Sequence, residues 1–417
     1  MNLSPRKQGC FFSRRVRKTL IPSLALNFFV LIGLTYTFSQ PATFHEARSS
    51  HYWVFSEVSA THAQQTTEYL EQLYSLFNRY FHFTGSPQGG FLKVRIFQTQ
   101  EAFQRYLSLL IPEKREDFVY LHHTDPNRRE LVAFYSLPSE QFYPSFHRQA
   151  FLQFLRSFIL HPPLWLREGF AVFFEKIVLN PDLKTAEVRE NPEWLDGLKK
   201  YLASTSSSGE TLIPLDTFLF LSTEEARQKL GVFFPQAWGL VTFLLEAPNR
   251  SYQRFLWDTL STLSSEATLE ENYQRIRQRI LPWYYLPQME KDFISFLEQR
   301  PSFNSLLQQG ITLYEKESFR EALQAFRSAE NLDPIHPLPP YYLGLVSYAM
   351  KDFASAEAAY QKALSLGGKK ALIKYALGVN AFAWNKPQDA RTYLTEALEA
   401  DPSLREKIEP LMRRLSR

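Results

Sequence analysis

The sequence predicts an α+β domain, built from a small sheet and a helical half, followed by an all-α solenoid of helical repeats. Three observations predict this fold class. Over residues 51–135, segments in which apolar and polar residues alternate, as in strands, are interspersed with segments of helical periodicity. From there to residue 298 the periodicity is helical only. From residue 303 onward, small and apolar residues recur every 34 positions. Near the N-terminus, residues 20–38 carry no charge, which predicts a transmembrane or signal segment.

The N-terminus predicts a membrane-directed segment. A basic cytoplasmic tail, residues 1–19, precedes nineteen uncharged residues, 20–38, which at about 1.5 Å per helical residue just span a hydrocarbon core of about 30 Å. The tail carries Arg6, Lys7, Arg14, Arg15, Arg17 and Lys18. These charges favour a cytoplasmic tail and an extracytoplasmic bulk. The segment is either an uncleaved single-pass anchor in the cytoplasmic membrane or a signal peptide cleaved near Ser39, which would release a periplasmic or secreted protein.

Charge and cysteine content exclude two classes of function. The formal net charge is +4, but the first forty residues contribute +6, so the remaining residues sum to −2. This balance predicts no basic surface for nucleic acid. The single cysteine, Cys10, lies in the basic tail, so disulfides and thiolate metal sites are excluded from the folded part. No glycine-rich phosphate loop, dinucleotide fingerprint or serine nucleophile elbow is present.

Residues 50–300 are predicted to form the α+β domain. Strands are predicted over residues 51–57, 91–99, 118–123 and 130–135, with helices over 60–81 and 101–110. Further helices are predicted over residues 141–160, 165–177, 193–202, 235–245, 250–263, 269–281 and 286–298. An aromatic packing corner is predicted at residues 283–286, and a hinge into the repeats at residues 299–302.

Two stretches of this domain carry the resemblance to a known family. Residues 146–151 are F-H-R-Q-A-F, and residues 164–175 are L-W-L-R-E-G-F-A-V-F-F-E. They resemble the gluzincin metallopeptidases, specifically the bacterial peptidase MA-like group, whose signature is H-E-x-x-H on one helix and W-L-x-E-G-x-A on the next. Residues 52–55, 91–97 and 233–246 also resemble that group. The resemblance implies a gluzincin-like fold, with zinc held by the two histidines and by a glutamate on the second helix.

The zinc motif is degenerate in this chain. His147 stands at the first histidine position and Glu168 at the third-ligand position, but the general-base position is Arg148 and the second histidine position is Phe151. An arginine accepts no proton at neutral pH, and a phenyl ring binds no zinc. The sequence therefore predicts a peptidase-like domain without catalytic residues and without a cofactor. In the alternative structural role, His147 and Glu168 bond to each other, or to Arg148 or Arg167.

Residues 303–402 are predicted to form three helical repeats, at 303–336, 337–370 and 371–404, with a capping helix over 403–417. Four columns of residues recur every 34 positions, and each repeat closes on a helix breaker. The columns are Gly310, Gly344 and Gly378; Ala322, Ala356 and Ala390; Ala329, Ala363 and Ala397; and Phe326, Tyr360 and Leu394, with breakers Pro334, Gly368 and Pro402. The pattern resembles the tetratricopeptide repeat, which implies a protein-interaction module.

The first helices of the repeats present two further columns of apolar and aromatic residues. These are Ile311, Leu345 and Val379, and Tyr314, Tyr348 and Phe382. They predict a groove that takes an extended or helical peptide of a partner protein, although some of them are expected to pack between repeats instead. No cluster of lysine and arginine is predicted there to hold a peptide carboxylate.

Three hypotheses about function follow. The first is a membrane-tethered, extracytoplasmic binding or scaffold protein with a degenerate peptidase-like domain and interacting repeats. The second is an active zinc metallopeptidase with remodelled ligands around His147 and Glu168. The third is a structural spacer of the cell envelope.

Overall fold

The computed structural model describes residues 43–112, 115, 117–135, 142–180, 185–203 and 211–415. The predicted basic tail and apolar segment, residues 1–19 and 20–38, lie outside the described residues.

A five-stranded sheet opens the described chain. Its strands are β1 (His45–Arg48), β2 (Tyr52–Ser56), β3 (Leu92–Phe97), β4 (Val119–Leu121) and β5 (Glu130–Phe134). They lie in the order β1-β2-β3-β5-β4, with β2, β3 and β5 parallel and the two edge strands antiparallel to their neighbours. Val54, Val94 and Leu131 lie side by side on the central strands and are fully buried. The alternation that predicts these strands therefore marks the face that packs on the core.

Two helices connect the parallel strands, as helical crossovers do. They are α1 (Ala60–Phe81), between β2 and β3, and α2 (Gln100–Ser108), after β3. The side chains of Ser59 and Thr99 accept hydrogen bonds from the backbone N–H groups of His62 and Ala102, which fixes where each helix begins. The small sheet and these helices agree with the predicted α+β architecture.

The helical half follows. Its helices are α3 (Phe142–Phe158), α4 (Leu164–Phe173), α5 (Pro192–Ala203), α6 (Leu215–Phe218), α7 (Thr223–Gln228), α8 (Leu230–Glu246), α9 (Arg250–Thr262), α10 (Leu269–Arg279) and α11 (Leu286–Gln299). One large apolar cluster joins the sheet face, α1, α3, α4, α8 and α11. Helix α8 is buried along most of its length, which explains why it is apolar all round.

The structure corrects four expectations about local structure. The helix predicted to reach residue 177 ends at Phe173, because Ile177–Asn180 (β6) pairs with Thr185–Val188 (β7) in a hairpin. The short strand β1 and this hairpin were missed, because four residues give too little alternation to recognise. Helix α8 begins five residues before the predicted start, with Pro235 inside it. Because Pro235 has no N–H, the helical hydrogen bond that this position would form with the carbonyl of Gly231 is absent.

The fourth correction concerns the predicted aromatic corner. Trp283 is 82% exposed and Tyr285 is 74% exposed, so neither packs in a corner. Of the four residues, Tyr284 and Leu286 pack against the core, and the ring centroid of Tyr284 lies 5.0 Å from that of Phe255.

No single helix in the described part is long and apolar enough to span a membrane. Helices α8 and α9 meet the length and composition criteria only as a pair, and the pair is bent by 114°.

Three helical hairpins form the C-terminal part. They are α12 (Phe303–Glu315) with α13 (Phe319–Leu332), α14 (Leu338–Ala349) with α15 (Phe353–Ser365), and α16 (Lys370–Ala383) with α17 (Pro387–Ala400), followed by α18 (Arg405–Leu415). A Cβ added to Gly310, Gly344 or Gly378 would lie 2.5, 2.4 or 2.6 Å from Phe326, Tyr360 or Leu394, respectively. The glycine column thus allows each second helix to seat its large apolar residue against the first.

A further column with the same spacing lies in the turns of the hairpins. Glu317, Lys351 and Asn385 adopt left-handed backbone conformations, with φ of 59°, 63° and 58°. In each turn the next residue donates its N–H to a carbonyl of the first helix, for example Asp352 to Ser347 at 2.9 Å. Because these three side chains differ so much in chemistry, a shared backbone conformation could not be predicted from the sequence.

Arg300 fixes the connection between the two parts. Its guanidinium donates to Glu190 and to Glu246, each at 2.6 Å. Asn304 at the start of α12 also donates to Asp196 of α5, at 2.8 Å. The predicted hinge at residues 299–302 is therefore bound to the α+β domain on both sides.

Candidate functional site

The six predicted groove residues are all partly buried. Ile311 and Tyr314 pack against the cluster of the first hairpin, and Leu345 and Tyr348 pack against the cluster of the second. The rings of Tyr314 and Tyr348 also contact Phe319 and Phe353, with centroids 5.9 and 6.0 Å apart. In the first two repeats these residues serve both as packing and as surface.

The third repeat is more open. Val379 and Phe382 are partly buried, but neither belongs to any of the buried clusters within the described residues. No ring contact of Phe382 occurs within the described residues either. At this end of the predicted groove, Val379 and Phe382 therefore keep part of their apolar surface exposed to solvent.

Tyrosine hydroxyl groups line the first two repeats. Burial raises the pKa of Tyr314, and the nearby Tyr348 adds a smaller increase. Burial, with smaller contributions from Tyr342 and Tyr314, raises the pKa of Tyr341 to about 12. These hydroxyls stay neutral at physiological pH, so they contribute hydrogen bonds without charge.

The first helices of the three hairpins, α12, α14 and α16, are called the inner helices below, and they carry few charges. Helix α14 has no charged residue, α12 has only Glu315, and α16 has only Lys370 and Lys374. Lys374 is paired with Glu396 of α17. The inner surface therefore favours an apolar ligand over a strongly acidic or basic one.

The peptidase-like positions are built differently from a zinc centre. His147 is 1% exposed, and both of its ring nitrogens have partners. Nδ1 donates to the backbone carbonyl of Glu175 at 2.8 Å, so Nε2 is the nitrogen that accepts the hydroxyl proton of Tyr69. Burial lowers the pKa of His147 to about 4, so the ring is neutral at physiological pH. The structure gives this histidine the role of a buried connector between α1, α3 and the residues after α4.

The other motif positions also have structural partners. Arg148 pairs with Glu175 at 3.4 Å and lies over the ring of Phe234. Glu168 accepts from Nε of Arg167 at 2.7 Å. Phe151 is fully buried among aromatic rings, including Phe77 and Phe174.

Within the described residues, no hydrogen bond joins His147 to Glu168, and no group of three or more His, Cys, Asp or Glu side chains could hold a metal ion. Zinc at His147 and Glu168 would require breaking the hydrogen bond to Tyr69 and the pair with Arg167. The partners Tyr69 and Glu175 were missed at the sequence level. Nothing in the sequence links Tyr69 to a histidine 78 residues later, because their contact arises only from helix packing.

Neither a protein-family model nor a curated protein matches the chain. Among solved structures, the chain is similar to the first tetratricopeptide-repeat domain of Spaghetti (RPAP3) bound to the HSP90 peptide SRMEEVD, with 20% identity over 28% of this chain and 94% of that one, and a TM-score of 0.26. It is similar to the Yersinia enterocolitica type III secretion translocator chaperone SycD, with 16% identity over 30% of this chain and 90% of that one, and a TM-score of 0.26. It is also similar to a CopN–Scc3 complex, with 16% identity over 28% and 72% and a TM-score of 0.25.

The three hairpins found here, with their 34-residue spacing, fit a tetratricopeptide-repeat solenoid. The peptidase MA-like resemblance stays a prediction.

Proposed function

We propose that this protein is an interaction scaffold whose repeats bind an apolar peptide segment of a partner protein. The observation that carries the proposal is the row of partly buried apolar and aromatic side chains on the inner helices. The row ends at Val379 and Phe382, whose side chains remain partly exposed. Aromatic anchors in partly desolvated sites supply most of the binding energy in protein interfaces.

The chemistry of the inner helices limits which peptides can bind to the repeats. The inner helices are nearly uncharged, and the neutral tyrosine hydroxyls supply donors and acceptors for a peptide backbone. The proposed ligand is therefore an extended or helical segment with apolar side chains at the repeat spacing, and not a peptide held by its terminal carboxylate.

The α+β domain is proposed to be a non-hydrolysing support for the repeats. This proposal is supported by Arg148 and Phe151 at two motif positions and by the hydrogen-bond partners of His147. After incubation with zinc and desalting, we expect no zinc to remain with the protein, as measured by plasma mass spectrometry. Zinc near one per chain that is lost in His147→Ala would favour an active metallopeptidase instead, and so would metal-dependent cleavage of a peptide that Glu168→Ala abolishes.

Tethering to the cytoplasmic membrane, with the bulk outside the cytoplasm, is part of the same proposal. The apolar residues 20–38 and the preceding basic tail support it. Fusions of a reporter that is active only outside the cytoplasm, placed after residue 417, should be active, whereas the same reporter placed after residue 19 should be inactive.

The groove itself is tested by selecting peptides from a random display library against the full-length chain. The affinity of a selected peptide is then measured by fluorescence anisotropy. Phe382→Glu should weaken binding about tenfold or more, because it places an unpaired charge in an apolar contact. Met350→Glu is the matched control, since Met350 is an exposed apolar residue at the turn after α14. Selected peptides that bind equally well to wild type and Phe382→Glu would exclude the groove as their site.

A further inference from the structure

Three arginines and two histidines from separate segments surround one region at the C-terminal end of α3. His122 follows β4, Arg129 precedes β5, Arg156 lies in the last turn of α3, His161 precedes α4, and Arg167 lies in α4. The rings of His122 and His161 have centroids 6.3 Å apart. All three arginines are close enough to lower the pKa of both histidines. This group is called the arginine cluster below.

Arg129 has a structural role in the cluster. It is buried, and its guanidinium donates to the carbonyls of His123 and Thr124 and to the side chain of Gln88, at 2.8, 3.3 and 3.2 Å. These three hydrogen bonds shape the loop between β4 and β5.

Among the described residues, Arg156 and Arg167 form hydrogen bonds only through Nε. Nε of Arg156 donates to the carbonyl of Leu160 at 3.1 Å, and Nε of Arg167 donates to Glu168 at 2.7 Å. Among the described residues, no acceptor bonds the terminal Nη groups of either arginine. Both side chains are partly buried, so water screens their charges less than on an open surface.

Carboxylates of the described residues balance only part of the charge of the cluster. Among these residues, Glu168 is the one carboxylate that forms an ion pair with any of the three guanidinium groups, and it pairs with Arg167. Burial, followed by the charge of Arg167, lowers the pKa of Arg156 to about 10. Burial, with smaller contributions from the charges of Arg156 and Arg129, lowers the pKa of His122 to about 3. This histidine is therefore neutral at physiological pH and adds no positive charge to the cluster. Within the described residues, the three guanidinium groups are therefore paired with a single carboxylate, which leaves an excess of positive charge.

We propose that Arg156 and Arg167 bind an oxyanion, a carboxylate or phosphate group, at the arginine cluster. A guanidinium offers paired N–H donors that match two oxygens on one carbon or phosphorus atom. Such a group would supply acceptors to the free Nη atoms and neutralise the excess charge. His122 and His161 border the site as neutral side chains. The site lies on the α+β domain and is independent of the peptide groove.

The proposal is tested by isothermal titration calorimetry of the full-length chain at low ionic strength. Sodium phosphate is titrated in one series and sodium acetate in another. One saturable site is expected, and Arg156→Gln or Arg167→Gln should weaken it about tenfold through the loss of a charged hydrogen bond. Glu168→Gln should strengthen binding about tenfold, because it removes the nearby negative charge while keeping an oxygen that can accept the hydrogen bond from Nε of Arg167. Arg254→Gln is the matched control: this arginine is exposed, lies on α9 and should leave binding unchanged.

The two series distinguish the source of the oxyanion. Saturable binding of phosphate assigns the site to a phosphate group, and saturable binding of acetate alone assigns it to a carboxylate. The proposal is overturned if neither ion saturates, if Glu168→Gln weakens binding, or if Arg254→Gln weakens it as much as Arg167→Gln. If Arg156→Gln fails to fold because the bond to Leu160 is lost, Arg167→Gln and Glu168→Gln decide, since their expected effects have opposite signs.

Discussion

The close approach at Gly344 allows a quantitative test of the repeat packing. In Gly344→Ala the new Cβ would lie 2.4 Å from Cε1 of Tyr360. Tyr360 is 1% exposed, so its ring is enclosed by other protein atoms. Overpacking of this kind costs about 1–3 kcal/mol, whereas replacing glycine by alanine inside a helix returns about 1 kcal/mol. Because 2.4 Å is far inside the contact distance, the overpacking cost is taken as the upper part of this range, about 2–3 kcal/mol. The net expectation is a loss of about 1–2 kcal/mol in the free energy of unfolding.

The matched control is Gly197→Ala in α5. A Cβ at Gly197 meets its nearest atom, Cγ of Pro235, at 3.7 Å, which is an ordinary contact. Only the helix-propensity effect remains there, so stability should rise by about 1 kcal/mol. Urea unfolding followed by circular dichroism measures both variants, with each transition fitted separately if the two parts unfold independently. A Gly344→Ala protein as stable as wild type would refute the close packing of Gly344 against Tyr360.

Three further predictions concern stability and the connection between the two parts. Lys351→Gly should stabilise the second hairpin by about 1 kcal/mol, because glycine adopts a φ of 63° without strain; Asn385→Gly should gain less, since asparagine tolerates this conformation. His147→Gln should reduce the loss of stability on acidification. The folded-state pKa of about 4 lies below the ordinary 6.5, so the unfolded chain binds the proton first, and His147 lowers stability by up to about 3 kcal/mol as the pH falls from 7 to 4. Arg300→Gln should make residues 299–302 more sensitive to limited proteolysis, because it releases Glu190 and Glu246.

Each prediction has a result that contradicts it. Equal stability of Lys351→Gly and wild type in urea would exclude strain in that turn. Parallel pH profiles of wild type and His147→Gln between pH 4 and 7 would exclude a lowered pKa for His147. An unchanged proteolysis rate in Arg300→Gln would show that the ion pairs do not fix the connection.

The helical repeats were the part best predicted from sequence. The 34-residue columns predicted two helices in each repeat, and residues 303–400 contain six helices, α12 to α17. The columns could predict them because each column has one local packing role that is repeated three times. The glycine column is an example: its spacing identified the place where two helices touch, and the structure adds only the distance to Phe326, Tyr360 or Leu394. The left-handed residues between the helices could not be predicted, since Glu317 and Lys351 have no intrinsic preference for that conformation.

The candidate sites depended much more on tertiary structure. Sequence alone identified His147 and Glu168 as aligned with a metallopeptidase motif, and it identified the missing base and ligand at Arg148 and Phe151. It could not show that Tyr69 and the carbonyl of Glu175 bond both nitrogens of His147, because those contacts join segments that are distant in the chain.

The sequence by itself determined the periodic elements, their order, the apolar inner surface of the repeats and the absence of an intact H-E-x-x-H motif, because each of these depends on spacing along the chain. Only the tertiary structure decided which polar groups are paired and which are left free. Arg156 and Arg167 are eleven residues apart and unremarkable in sequence. They act on each other only because α3 and α4 pack together, which brings like charges into a partly buried region beside a loop from the sheet.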